Sequence, residues 1–199
     1  ILLPVVAKLM GRPLTKYGVS VINVGHTGFF RYARIFQRSN GGNMKVRVAC
    51  ISDLDIPPSI AEDYLRRDSD GNLTQPTTSS VLPAEQEERR NEKEQQFEDP
   101  IRSYASDQWT LEYDIAASGL TLQMHIAIQL AKTTRRDLDA VVGNAVDEYR
   151  EWKREGKSVE QIAALVYKPL YKSRASKPET AQYFARLLEK SVPTRGKNK

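Results

Sequence analysis

Val46-Arg-Val-Ala-Cys-Ile-Ser52, running straight into Asp53-Leu54-Asp55, is the stretch that decides the fold of this chain. It is β-branched and mostly apolar, the mark of a strand covered on both faces, and it ends in two acids. Upstream, Val19-Ser-Val-Ile-Asn-Val24 has the same character. Gly25-His-Thr-Gly28 closes that second run, and a helical pattern follows from Phe29 to Gln37. The turn Asn40-Gly41-Gly42-Asn43 then leads back to the Val46 strand. Further upstream, Leu2, Leu3, Val5, Val6, Leu9 and Met10 recur at helical spacing and stop at Gly11-Arg12-Pro13. Helix, strand, helix, strand is the rhythm of an α/β protein with a mostly parallel sheet flanked by helices.

Downstream the pattern changes. Residues 66–83 form a polar loop rich in Ser, Asp, Gly, Asn, Thr and Pro. Ala84 to Gln96 holds no large apolar residue and reads as a solvated helix or mobile segment. Trp109-Thr-Leu-Glu-Tyr-Asp-Ile115 alternates and reads as a short strand. From there the spacing predicts helices over 116–132, 136–155, 158–172 and 177–191, with a capping box at Ser158 and Gln161 and Pro178 in the first turn of the last. The expected division is a core over 1–115, a helical subdomain over 116–171, and a last helix over 172–199 returning to the core before a disordered tail.

The 199 residues are 40% hydrophobic and 28% charged, which excludes disorder throughout. The net charge of +5 is mild, but it is unevenly spread: +6 over residues 1–59, −8 over 60–131 and +7 over 132–199. One cysteine and two histidines exclude an internal disulfide and a structural zinc site, which points to a reducing, cytoplasmic setting. No apolar run approaches the roughly 20 residues of a membrane helix. The chain opens without Met, inside an apolar helical pattern, and is expected to be part of a longer polypeptide.

Asp53 and Asp55 are the only acids among the first 59 residues, and they stand at the end of a predicted parallel strand, where α/β proteins place their sites. Two carboxylates that close repel unless something positive lies between them. A hard divalent cation such as Mg2+ suits the pair; so, on spacing alone, does a plain role in solvating the strand end or capping the next turn. Cys50 lies within the strand and reads as packing. His125 falls on a mostly apolar helix and reads as a satisfied core residue, and His26 reads as a loop residue without special chemistry. Gly25-x-x-Gly28 is too short for a dinucleotide fingerprint, and no phosphate-binding Gly-x-x-x-x-Gly-Lys-Ser/Thr loop is present. Arg31, Arg34 and Arg38 at near-helical spacing, and Lys172, Arg174 and Lys177 around a helix break, can follow a phosphate backbone or simply meet solvent.

Val21-Ile-Asn-Val-Gly25, the helix after it, and Val48-Ala-Cys-Ile-Ser-Asp-Leu-Asp55 resemble the second and third strands of a Toprim domain. With Trp109-Thr-Leu-Glu-Tyr-Asp-Ile-Ala116 and Lys177-Pro-Glu-Thr-Ala-Gln-Tyr-Phe-Ala185, they resemble the carboxyl-terminal nuclease region of the OLD (overcoming lysogenization defect) family, to which the Gabija phage-defence nuclease subunit is related. The resemblance implies that Asp53, Asp55 and Glu112 are metal ligands and catalytic residues, and that Lys177 is the late lysine of the site. By period 2, and not from the resemblance, Thr110 shares a side of the predicted strand with Glu112, where it would orient that carboxylate or a bound water or serve as ordinary strand filler. The Toprim glutamate, which belongs to a Glu-Gly motif on the first strand, would lie upstream of Ile1.

The implied activity is an endonuclease hydrolysing DNA phosphodiester bonds with two Mg2+ or Mn2+ ions about 3.5 to 4 Å apart. Lys172, Arg174 and Arg31 would contact DNA. An ATPase domain upstream in the same polypeptide, a helicase-like partner and an oligomeric assembly are further expectations, and no membrane is implied. The competing readings are a Toprim domain of a primase or topoisomerase, and a non-enzymatic DNA-binding or assembly module.

Overall fold

The computed structural model describes residues 1–25, 28–37, 44–58, 60–61, 83–134 and 137–191. His26, Arg38, the turn at 40–43, nearly all of the polar loop at 66–83 and the tail beyond 191 lie outside the described residues. The chain divides into two compact units, Asn23–Asp114 and Ile1–Ile22 with Ile115–Lys199.

The first unit is built on two parallel strands, β1 (Val48–Ser52) and β2 (Ile101–Ala105), paired from Val48↔Ile101 to Ser52↔Ala105. Parallel neighbours need a long crossover, and the connection here includes a charged helix between the strands, described below. One face of the pair is packed: Cys50 and Ile101 join Ala33 in a small core with Phe36, Val48 and Phe97 against it. Ala33 comes from α1 (Phe29–Ala33) of this unit, which tightens into a single 3-10 turn over Arg34–Phe36. Ile51 and Tyr104, opposite each other in the register, are about half exposed on the other face. β1 therefore follows the expected strand, starting two residues later than Val46.

Two expectations fail in this region. Val19 to Val24 has no strand: Val21 and Ile22 are 48% and 80% exposed, and among the described residues β1 pairs only with β2. β-branched composition favours extended backbone, yet a strand exists only where a neighbour accepts its hydrogen bonds. Trp109–Ile115 is not a strand either. Leu111–Ile115 is a helical turn, α3, because Thr110 caps it: its Oγ1 accepts from the Tyr113 amide at 3.3 Å, and its carbonyl from the Asp114 amide at 2.9 Å. Asp114 reaches back to accept the Gln108 and Trp109 amides, so the alternation of apolar residues is overruled by local capping.

The sequence did not announce β2, although Ile101-Arg-Ser-Tyr alternates buried and exposed side chains as a half-buried strand should. The acidic stretch after residue 83 is a helix, α2 (Pro83–Glu94), which satisfies the solvated-helix reading on most of its surface.

The second unit is helical. Its centre is α4 (Thr121–Lys132), buried nearly all round through Met124, His125, Ile126, Ala127, Ile128 and Leu130. Around it pack α5 (Leu138–Arg154), α6 (Val159–Tyr171) and α7 (Lys177–Ser191), and α0, the amino-terminal helix Leu2–Leu9, lies on α7. The last three predicted helices match within two residues. The capping box forms as expected, with Ser158 and Gln161 exchanging side-chain and backbone bonds. The start of the predicted 116–132 helix differs: Ala116–Leu120 is wound as a π-helical turn, and Gly119, at φ +99°, supplies the backbone angle that lets α4 begin on a new axis. His125 is 2% exposed, stacked on Trp152 at 4.8 Å, with Nε2 3.0 Å from Glu148 Oε2.

Candidate metal-binding site

The acids follow β1 directly. Parallel pairing brings the carboxyl ends of both strands to one edge, so the segment after β1 meets the segment after β2. The Ser106 amide donates to the Ser52 carbonyl at 3.0 Å, continuing the ladder, and the Leu54 amide donates to the Trp109 carbonyl at 2.7 Å. Leu54 is fully buried and anchors the turn between the two aspartates. The Leu111 amide donates to Asp53 Oδ1 at 3.1 Å. Asp53 therefore holds an orphan amide of the first turn of α3, and Glu112 is the next residue along that turn.

Asp55 has a different partner. Its Oδ2 is 2.7 Å from the ammonium of Lys93, which also donates to the Asp53 carbonyl at 2.5 Å. The Lys93 side chain is 12% exposed and that of Asp55 59%. Asp55 takes a left-handed backbone at φ +69°, uncommon outside glycine although Asp adopts it more readily than most residues. The Asp55 carboxylate thus has a counter-charge from within the chain.

Three residues of α2 make this arrangement. Gln86 donates through Nε2 to the carbonyls of Ile56 at 3.2 Å and Gln108 at 3.1 Å, Arg90 to the carbonyl of Asp107, and Lys93 as above. Their spacing of four and three residues puts them on one helix face, and they are the half-buried positions between Ala84 and Glu94, where the rest are exposed. Sequence reading missed them because it looked for large apolar residues. The available signal was a row of long donors at i, i+4 and i+7 in an otherwise acidic helix.

The donor set of Asp53 and Asp55, with Glu112 following the Leu111 whose amide Asp53 holds, is one of hard carboxylate oxygens. That suits a cation of the Mg2+ type, which needs one or two carboxylates and keeps several waters. It does not suit a closed cage: among the described residues no three His, Cys, Asp or Glu side chains are grouped so as to hold a metal ion. Asp53 lies on a helix amide and Asp55 on an ammonium. Thr110 is a helix cap and not the strand neighbour of Glu112 that period-2 geometry implied.

The remaining candidates are dispersed. Lys177 is the first residue of α7, in the helical unit, one position after Ser176, whose Oγ accepts the Glu179 amide at 3.4 Å. Lys172 and Arg174 are exposed beyond α6, with the Lys172 ammonium 5.8 Å from the centre of the Tyr171 ring, and Arg31 is exposed on α1 of the strand unit. Cys50 is a free, buried thiol whose pKa burial raises, as a packing residue requires.

Comparison with protein families gives one match: residues 1–55 fit the model of the overcoming lysogenization defect protein-like Toprim domain. Residues 1–55 are thus similar to OLD-like Toprim sequence. No curated protein and no solved structure matches the chain. The Toprim segment ends on Asp55, so it contains both aspartates, while Lys93, Glu112 and Lys177 lie beyond it. A Toprim domain implies metal binding and action on nucleic acids. The α/β expectation is met by the parallel pair with its flanking helices. Among the described residues no helix is long and apolar enough to cross a membrane.

Proposed function

We propose that the chain carries a divalent-metal-dependent DNA endonuclease centre at the carboxyl ends of β1 and β2. The observation that carries this reading is the joining of the two strand-end segments, Leu54 amide to Trp109 carbonyl and Leu111 amide to Asp53 Oδ1, within a chain whose Toprim segment ends on these aspartates. Asp53 and Asp55 would hold Mg2+ or Mn2+, with Glu112 joining them. Bound there, the metal ions supply an activated water and stabilise the charge that develops as a phosphodiester is hydrolysed.

The chain's own residues have distinct tasks in this reading. The Leu111 amide fixes the direction of the Asp53 carboxylate, and the buried Leu54 fixes the distance along the backbone to Asp55. Lys177 offers an ammonium to a phosphate oxygen, as electrostatic stabilisation of a crowded transition state requires. Lys172, Arg174 and Arg31 bind the phosphate backbone without reading bases, so binding weakens steeply with salt. An upstream ATPase and a helicase-like partner, both implied by the OLD resemblance, would govern access to the centre.

The test is cleavage of plasmid DNA by the complete protein, with the polypeptide expected upstream of Ile1, across a Mg2+ and Mn2+ titration. Wild type is expected to cut, and Asp53→Ala and Asp55→Ala to be inactive with their folds retained. Equal cleavage by all three proteins refutes the assignment.

A further inference from the structure

The ammonium of Lys93 sits where a cation shared by the aspartate turn would be expected. It touches both residues at once, the side chain of Asp55 at 2.7 Å and the backbone of Asp53 at 2.5 Å, and it is largely shielded from water. It is not a stray surface lysine. Gln86 and Arg90 hold the same face of α2 against the carbonyls of Ile56, Gln108 and Asp107, so the helix is fastened to both strand-end segments and delivers Lys93 to a fixed place. The left-handed backbone of Asp55 lies between the two groups that Lys93 bridges, and the bridge keeps the turn in that conformation.

We propose that Lys93 is a built-in counter-ion that competes with divalent metal for Asp55 and thereby sets the metal affinity of the aspartate turn. The inference rests on the metal-binding reading above and adds a positioning residue outside the Toprim segment. Its physical basis is direct. A doubly charged ion on the free side of the Asp55 carboxylate meets a fixed positive charge within a few ångströms, and that repulsion is only partly screened where the ammonium is shielded. Metal must therefore either displace the ammonium from Asp55 or bind against it.

The experiment measures Mn2+ binding by calorimetry on the whole protein, without DNA, for wild type, Lys93→Met, Lys93→Gln, Lys93→Arg and Asp55→Asn, with circular dichroism to confirm folding. Lys93→Met and Lys93→Gln are expected to bind Mn2+ about tenfold tighter than wild type, about 1.4 kcal/mol, while Lys93→Arg stays close to wild type. A lysine that only props up the turn would give weaker binding when removed, so tightening separates competition from support. Lys93→Gln keeps a donor for the Asp53 carbonyl and serves where Lys93→Met does not fold. Unchanged or weaker Mn2+ binding by the folded charge-removed variant overturns the proposal while leaving the metal reading in place, provided Asp55→Asn loses the binding that wild type shows. Absence of Mn2+ binding in wild type and in both charge-removed variants overturns the metal reading itself, and the Lys93 proposal with it.

Discussion

Asp53 performs two tasks that a pair of substitutions separates. Its Oδ1 accepts the Leu111 amide at 3.1 Å, a capping contact for α3, and in the proposed function the same carboxylate holds metal. Asp53→Ala removes both. Losing a side-chain acceptor at a helix amino terminus costs about 1 kcal/mol, within a range of roughly 0.5 to 2. Asp53 is half-buried, so water replaces the lost acceptor only in part, and the middle of that range is the appropriate expectation. For a chain of this size, 1 kcal/mol lowers the melting temperature by about 2 to 4 °C. Asp53→Asn retains an oxygen for the Leu111 amide and removes the charge, so its melting temperature should fall by about 1 °C or less. Mn2+ binding and plasmid cleavage should be lost in both variants. Thermal denaturation followed by circular dichroism, together with calorimetry on the same samples, checks this. An Asp53→Asn protein destabilised as much as Asp53→Ala, or one that still binds Mn2+ as wild type does, would refute the dual role.

Other outcomes follow from the helical unit. His125 is buried against Trp152, and burial lowers its pKa despite the opposing pull of Glu148, with Lys132 adding to the lowering. A histidine whose folded value lies below its unfolded one contributes full stability above the unfolded value near 6.5, and that stability is lost progressively as pH falls from there through the folded value. Urea denaturation between pH 8 and pH 5 should therefore show a decline that is smaller in His125→Phe. Phe184 is 1% exposed at the centre of the α7 contact face, so Phe184→Ala should cost about 3 to 5 kcal/mol in urea denaturation. Lys177→Met should slow cleavage severely and leave Mn2+ binding intact; an unchanged rate would remove Lys177 from the catalytic set.

The helices of the second unit were legible because their signals are local. Ser158 and Gln161 cap α6, Pro178 starts α7, and the apolar spacing of Thr180, Phe184, Ala185 and Leu188 describes one face. β1 was legible because a continuous apolar run bounded by acid has few other solutions. Val19 to Val24 misled for the converse reason: strand composition states a preference, and pairing is decided by neighbours that the segment itself does not encode. Thr110 misled because a five-residue helical turn is too short to show a period, so the cap outweighs the alternation. At the site, the aspartates were visible from their position at a strand end. Their partners were not, because Lys93 and Gln86 lie tens of residues away in a helix whose composition suggested only solvent.

The pairing of Val48 with Ile101 has a kinetic consequence. Closing a loop of about fifty residues must come before any contact between the two strand-end segments, whereas the capped helices of the other unit can nucleate from neighbours in sequence. The aspartate turn, Lys93 and α3 thus belong to the non-local part of the fold, which is expected to form more slowly than the locally capped helices. Loop-closure cost grows only slowly with length, by roughly 0.6 kcal/mol per doubling, so insertions between Pro58 and Pro83 should change the stability of the site little, as long as Gln86, Arg90 and Lys93 remain on one helix face.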